Sequence, residues 1–181
     1  MDKRLLVEIV PGPAFLLGNA LGGIFLGALL ATLATAAAIA LRWRWDQRLP
    51  LMALAIFGLT AVMLALGHVY RSETFIKMSN TVGSLLFAAI IALGARLEPS
   101  LLERTLGHSL SLKPSGWHRL HGAWIAVSIA RAALNEAVWR GRPTDTWAVY
   151  NGVSDIGWIL IFIGVTALVA HGHWQDDPKR P

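Results

Sequence analysis

The sequence contains no cysteine among its 181 residues, and charged residues make up only 15% of it. Without cysteine the chain forms no disulfide, binds no metal through thiolates and has no cysteine nucleophile. It also has no phosphate-cradling glycine-rich loop, no His-Glu-x-x-His zinc motif and no Gly-x-Ser-x-Gly nucleophile elbow. Soluble domains average roughly a quarter charged residues. The sequence therefore argues against a soluble protein and against the common enzyme classes, and we predict no cofactor.

Long apolar runs take the place of those features, and 55% of the residues are hydrophobic. A helix needs about 20 apolar residues to cross a bilayer, and the Ala/Leu/Gly-rich runs do not alternate as barrel strands do. We predict an all-α, polytopic helical membrane bundle that forms a single integral-membrane domain over residues 1–181. Its five transmembrane helices are predicted at residues 23–41, 49–67, 78–95, 120–139 and 147–170.

The first apolar run, Ala14–Leu41, is longer than one crossing requires. Its 28 residues would make about 42 Å of helix. The pair Gly22-Gly23 predicts a break, with a short re-entrant or interfacial helix before the span. Lys3 and Arg4 leave a sixth crossing open as the alternative. A signal peptide is disfavoured, because the apolar region of a signal peptide is only about 7–15 residues long and this run is much longer.

Small residues recur at four-residue spacing on both sides of that break. Gly18 and Gly22 form one such pair, and Gly23 and Gly27 form another. This spacing lets helix backbones approach closely. We expect it to serve packing within the chain rather than dimerisation; the sequence does not define an oligomeric state.

The basic residues indicate how the chain sits in the membrane. Nine lysines and arginines fall in loops on the side that includes the C-terminus, whereas Arg71, Lys77, Arg140 and Arg142 fall on the other. In membrane proteins the cytoplasmic loops carry more Lys and Arg than the loops on the opposite side, so we predict a cytoplasmic C-terminus. Aromatic residues at the run ends fit interfacial belts, and the basic residues beside them read as membrane anchors, not a nucleic-acid surface. The aromatic residues are Trp43, Trp45, Tyr70, Trp117, Trp139, Trp147 and Trp174.

The longest polar connection, residues 96–119, is predicted to be a cytoplasmic amphipathic loop. Ser100 and Glu103 have the spacing of a capping box, and Gly107 is a stop signal. We expect a short helix between Ser100 and Gly107 that lies on the cytoplasmic face of the membrane. Farther along, His118 and His121 have the spacing of a ligand pair, but no further ligand set accompanies them, and we expect no metal or haem site.

Polar residues inside the last two spans are the candidates for function. Arg131 and Asn135 are one turn apart and share a helix face, whereas Glu136 points elsewhere and needs a different partner. Asp155, in the last span, is a candidate partner for Arg131. Intramembrane charges normally face protein or water and are paired. We favour an interhelical ion pair over a transport or proton path, and both interpretations stay open.

Several motifs resemble one bacterial family. Glu73-Thr74-Phe75-Ile76-Lys77 opens the third span, and Leu134-Asn135-Glu136-Ala137-Val138-Trp139-Arg140 closes the fourth. Trp117, Trp124, Thr144-Asp145 and Trp147 complete the pattern. From about Pro11 to its end the chain resembles the inner-membrane family known as YciB, intracellular septation protein A or IspZ. Arg131 and the glycine-rich first span depart from the family pattern, so the chain is identified as a divergent member.

The resemblance implies a non-enzymatic multi-pass protein of the bacterial inner membrane. It implies a role in cell-envelope biogenesis, envelope integrity and septation, as a membrane scaffold or homeostasis factor. Besides the lipid bilayer, division or peptidoglycan-elongation proteins are the expected partners. It brings motif residues but no catalytic ones. The alternative, from the residues themselves, is a small transporter or channel that uses Arg131 and Asp155.

Overall fold

The computed structural model describes residues 9–47 and 51–175, apart from the side chains of residues 51–53, 55 and 56. Within those ranges the regular elements are all helices, which confirms the predicted all-α class. The helices are α1 (Pro11–Asp46), α2 (Leu51–Val69), α3 (Glu73–Gly94), α4 (Leu101–Leu106), α5 (Pro114–Gly141) and α6 (Thr144–His173). Each of the five predicted spans falls on one of the five long helices, and α4 lies in the predicted loop.

Three of these helices, α1, α3 and α6, are long and apolar enough to cross a membrane. In α2 the apolar stretch with described side chains is Phe57–Val69. Helix α5 carries Arg119, Arg131 and Glu136, which lower its hydropathy. Crossings by α2 and α5, and the single membrane domain, therefore stay predictions.

Helix α1 is broken where two adjacent glycines predicted it. Gly22 and Gly23 leave helical geometry, and Gly23 has a φ of 79°, which favours glycine. A Cβ on Gly18 would lie 2.7 Å from the Cα of Gly27, although nine residues of continuous helix would separate them by about 13 Å. The two arms therefore fold into a hairpin, and the predicted packing of small residues within the chain is confirmed. The question of a sixth crossing falls on residues 1–8, outside the described residues.

The described helices form two compact units. The first unit contains the chain up to Gly83 together with Asn135–Asp155, and the second contains Ser84–Leu134 together with the chain from Ile156 onward. Helices α3, α5 and α6 contribute residues to both.

The core of the first unit lies between the α1 hairpin, α3 and α6. Gly12 and Gly152 allow α1 and α6 to approach, because a Cβ on Gly12 would lie 2.9 Å from the carbonyl oxygen of Gly152. Side chains from four different segments fill the space. The buried core residues are Phe15, Ile24, Ala28, Ile76, Trp147 and Ala148.

The second unit is built on apolar and aromatic contacts. The ring of Trp124 contacts those of Phe87 and Phe162, with centroids 6.1 and 5.1 Å away. The amide of Lys113 donates to the carbonyl of His173 over 3.0 Å, which ties the loop to the end of α6. The buried core residues are Ile91, Leu102, Leu112, Trp117, Leu120 and Ala170.

Helix α4 begins after Ser100 and ends before Gly107, as predicted, but the expected capping box is wrong. The Ser100 hydroxyl makes no capping bond and is buried without a hydrogen-bond partner among the described residues. Leu102 of α4 is buried in the second unit's core, so part of its apolar side packs against protein. The position of α4 on the membrane face stays a prediction.

Candidate functional site

Hydrogen-bonded polar side chains from α3, α5 and α6 meet in the first unit. On α3, Glu73, Lys77 and Thr81 follow each other at four-residue spacing and so share one face. Helix α6 likewise has one polar face, because its residues Thr144, Trp147 and Asn151 follow each other at spacings of three and four residues. Helix α5 supplies the residues that lie between them, and we call this group the polar cluster. Its members are Glu73, Lys77, Asn80, Thr81, Asn135, Glu136, Arg140, Thr144, Trp147 and Asn151.

Asn135 is the centre of the polar cluster and is 1% exposed. Its amide nitrogen donates to the carbonyl of Lys77 over 2.8 Å and to the hydroxyl of Thr81 over 2.9 Å. Its amide oxygen accepts from the Trp147 indole nitrogen over 3.0 Å. One side chain therefore links three helices, and both of its N–H donors are used.

A charged triad lies at one side of Asn135. The Lys77 ammonium is 2.9 Å from the Glu73 carboxylate, and it donates to the Thr144 hydroxyl over 2.7 Å. The Thr144 hydroxyl in turn donates to the same Glu73 carboxylate over 2.9 Å. Lys77 is only 12% exposed, so its charge is compensated where solvent is scarce. The triad joins the start of α3 to the start of α6.

Glu136 is the second polar residue that α5 contributes to the cluster. The Thr81 hydroxyl donates to one carboxylate oxygen over 2.7 Å, and Arg140 donates to the other over 2.6 Å. The Arg140 guanidinium also lies 4.3 Å from the ring centroid of Trp139, a cation–π contact. Glu136 thus shares Thr81 with Asn135 and has Arg140 as a second partner. On the next turn of α3, Asn80 donates to Asn151 of α6.

An aromatic contact closes the cluster on the side of α1. The Phe15 ring meets the Trp147 ring edge-on, with centroids 5.9 Å apart. Trp147 is 1% exposed and Trp117 is 7% exposed. Trp147 turns inward, where Asn135 accepts its N–H, and Trp117 packs in the second unit's core; the interfacial position of both stays a prediction.

The cluster is chemically suited to holding helices together. Its carboxylates and its lysine are paired, and Thr81 accepts from one residue while donating to another. Within residues 9–47 and 51–175, no three His, Asp or Glu side chains group in a way that could hold a metal ion. The arrangement has the properties of a structural network, in which each polar group satisfies another.

The structure brings together many of the residues that the sequence singled out. Asn135 and Glu136 meet the motif residues Glu73, Lys77 and Trp147 in one network. Thr81 and Thr144 belong to it as well, and Asn80 and Asn151 bond to each other across the same two helices, α3 and α6. Sequence reasoning did not name these four as site residues. The available signal was their helical spacing from Glu73 and Trp147.

The remaining candidates are not among the cluster's members. Arg131 is half-buried in the second unit, whereas Asp155 is exposed at the end of the first unit's share of α6. The pairing expected between them stays a prediction. Ile76 is a core residue of the first unit, and Phe75 stacks on Tyr70 at a centroid distance of 5.5 Å. In the second unit, Trp124 donates to the Thr166 hydroxyl over 3.0 Å.

Comparisons with known proteins agree with the motifs. The family model for intracellular septation protein A matches residues 3–177. A relative from Sinorhizobium medicae is 32% identical over 160 residues, which cover 87% of this chain and 76% of the relative. Relatives from Brucella melitensis and Brucella suis are 31% identical over 96% of this chain, covering 78% and 86% of their own lengths. All three are named inner membrane-spanning protein YciB. No solved structure matches the chain.

Proposed function

Because the chain belongs to the intracellular septation protein A family, we propose that it is a non-enzymatic inner-membrane scaffold of cell-envelope biogenesis and septation. The family's descriptions concern septation and membrane spanning rather than a reaction. One observation carries the scaffold function: the motif residues Glu73, Lys77, Asn135 and Trp147 pair with one another in the polar cluster. Such pairing fixes helix positions.

The proposed partners are membrane proteins of the division or peptidoglycan-elongation machinery. They should be captured by in vivo crosslinking of a tagged chain, followed by mass spectrometry of the crosslinked species. A deletion strain should show altered cell shape or lowered detergent tolerance. Normal morphology and tolerance, together with crosslinks to lipid-metabolic or transport proteins alone, would contradict the proposal.

We also propose that the C-terminus and the loop of residues 96–119 are cytoplasmic. The natural chain has no cysteine, so single cysteines can be labelled without background. An impermeant maleimide added to intact spheroplasts should label Arg142→Cys but not Ser109→Cys, both of which are exposed positions. Labelling of Ser109→Cys alone would reverse the proposed orientation.

A transporter or channel remains the alternative function, motivated by the charge that Arg131 places inside a long helix. Its distinguishing experiment is a flux assay in proteoliposomes. Under the scaffold proposal, Arg131→Leu changes stability at most, and no solute flux depends on it. Flux that is present in the natural chain and lost in a folded Arg131→Leu variant would favour transport.

A further inference from the structure

An apolar groove runs between the second arm of α1 and α2, both in the first unit. Its volume is about 650 Å³, within the range of ligand sites. Thr32 is one of its two polar side chains, and its hydroxyl already donates to the carbonyl of Ala28 over 2.7 Å. The other is His68. The groove is lined by Gly22, Phe25, Leu26, Leu29, Thr32, Ala61, Leu64, Ala65 and His68.

The length of the groove fits one membrane leaflet. Its lining on α1 extends from Gly22 to Thr32, which is about 15 Å of helix. The hydrocarbon core of a bilayer is about 30 Å thick, so the groove spans roughly half of it. An acyl chain from one leaflet has the matching length and chemistry.

The groove leads to a basic group at one end. A smaller cavity of about 190 Å³ shares Phe25 and His68 with the groove, and Arg71 completes its lining. Among the described residues, no carboxylate forms an ion pair with Arg71. The apolar groove therefore ends at an imidazole and a guanidinium.

The backbone at Arg71 is a second, independent observation. Helix α2 ends in a Schellman motif, in which the amide of Ser72 donates to the Gly67 carbonyl over 2.9 Å and that of Arg71 to the His68 carbonyl over 3.3 Å. Arg71 occupies the left-handed position with a φ of 50°, where glycine is favoured. An arginine therefore occupies a backbone conformation that favours glycine. Residues in such conformations are concentrated at functional sites, which favours a function for the guanidinium.

We propose that this groove binds an anionic phospholipid, with one acyl chain along α1 and α2 and the phosphate at Arg71 and His68. A guanidinium recognises phosphate oxygens through several N–H donors in a fixed geometry. An uncharged apolar molecule would gain nothing from Arg71, and a free phosphate would gain nothing from the apolar groove. Only an amphiphile uses both parts.

Native mass spectrometry of the full chain in detergent tests the proposal. The probes are phosphatidylglycerol, phosphatidylcholine with the same acyl chains, and inorganic phosphate. We expect at least fivefold tighter binding of phosphatidylglycerol than of phosphatidylcholine, and no displacement by millimolar phosphate. Equal binding of the two lipids, or displacement by phosphate, would overturn the proposal.

Arg71→Gly is the decisive variant, because it removes the charge and supplies the residue that the turn favours. It should abolish the preference for phosphatidylglycerol without lowering the melting temperature, while Arg142→Gln keeps the preference. Ala65→Trp, which fills the groove, should weaken binding of both lipids, whereas Val62→Trp on an exposed position outside the lining should not. A folded Arg71→Gly or Ala65→Trp variant that binds as the natural chain does would refute the site.

Discussion

Different interactions stabilise each of the two units internally, although α3, α5 and α6 contribute residues to both. In the first unit, Asn135 bonds to side-chain or backbone groups of two other helices. In the second, His121 and Ser128 bond to carbonyls of their own helix, and between helices the Trp124 ring packs against Phe87 and Phe162 and donates one hydrogen bond to Thr166. Directional bonds allow few alternative helix positions, whereas apolar packing in lipid allows more. The first unit therefore has the more specific geometry.

Among the variants that test this difference, Asn135→Leu should lower the free energy of unfolding the most. It removes three hydrogen bonds, each worth about 0.6 kcal/mol and at most about 1.7 kcal/mol between membrane helices. We expect the free energy of unfolding in micelles to fall by about 2 kcal/mol. The neighbouring Leu134→Ala, at a 45% exposed position, serves as the control and should change it by less than about 0.5 kcal/mol. Equal effects of the two variants would show that Asn135 is not a central link.

Trp124→Phe tests how much a single hydrogen bond contributes to the second unit. It keeps an aromatic ring near Phe87 and Phe162 but loses the hydrogen bond to Thr166. We expect a loss of about 1 kcal/mol in unfolding free energy. In a double-mutant cycle, Thr166→Val should add little in the Trp124→Phe background. Full additivity would mean that the indole bond contributes nothing and that shape alone matters.

Ser100→Ala should have the smallest effect. A capping serine would lose about 1 kcal/mol on this change, but the Ser100 hydroxyl makes no cap bond. Because the hydroxyl is buried without a described partner, its removal should leave the unfolding free energy within about 0.5 kcal/mol or raise it. A loss of 1 kcal/mol or more would restore the capping box that the sequence predicted.

The elements that could be predicted from sequence depend on strong local signals. Gly22-Gly23 breaks α1 because adjacent glycines remove the preference for a helix, and long apolar runs leave few alternatives to membrane helices. Asn135 and Glu136 stand out because polar groups are costly in an apolar run. These signals need no knowledge of neighbouring helices.

The threonines of the polar cluster could not be predicted in the same way. Thr32, Thr35 and Thr166 also lie in apolar helices, yet each donates to a carbonyl of its own helix. Thr81 and Thr144 instead reach across to other helices. Only the tertiary arrangement decides between these two outcomes. The inward turn of Trp147 has the same origin, because a tryptophan at the end of a run equally fits an interfacial belt.

The most direct test of the account compares two folded variants in a strain that lacks the gene. The readouts are cell shape and survival in detergent, at matched membrane levels of each variant. The account predicts that Asn135→Leu fails to restore the envelope because the polar cluster is lost, whereas Arg131→Leu restores it. Full rescue by Asn135→Leu together with failure of Arg131→Leu would contradict it and assign the function to the intramembrane charge.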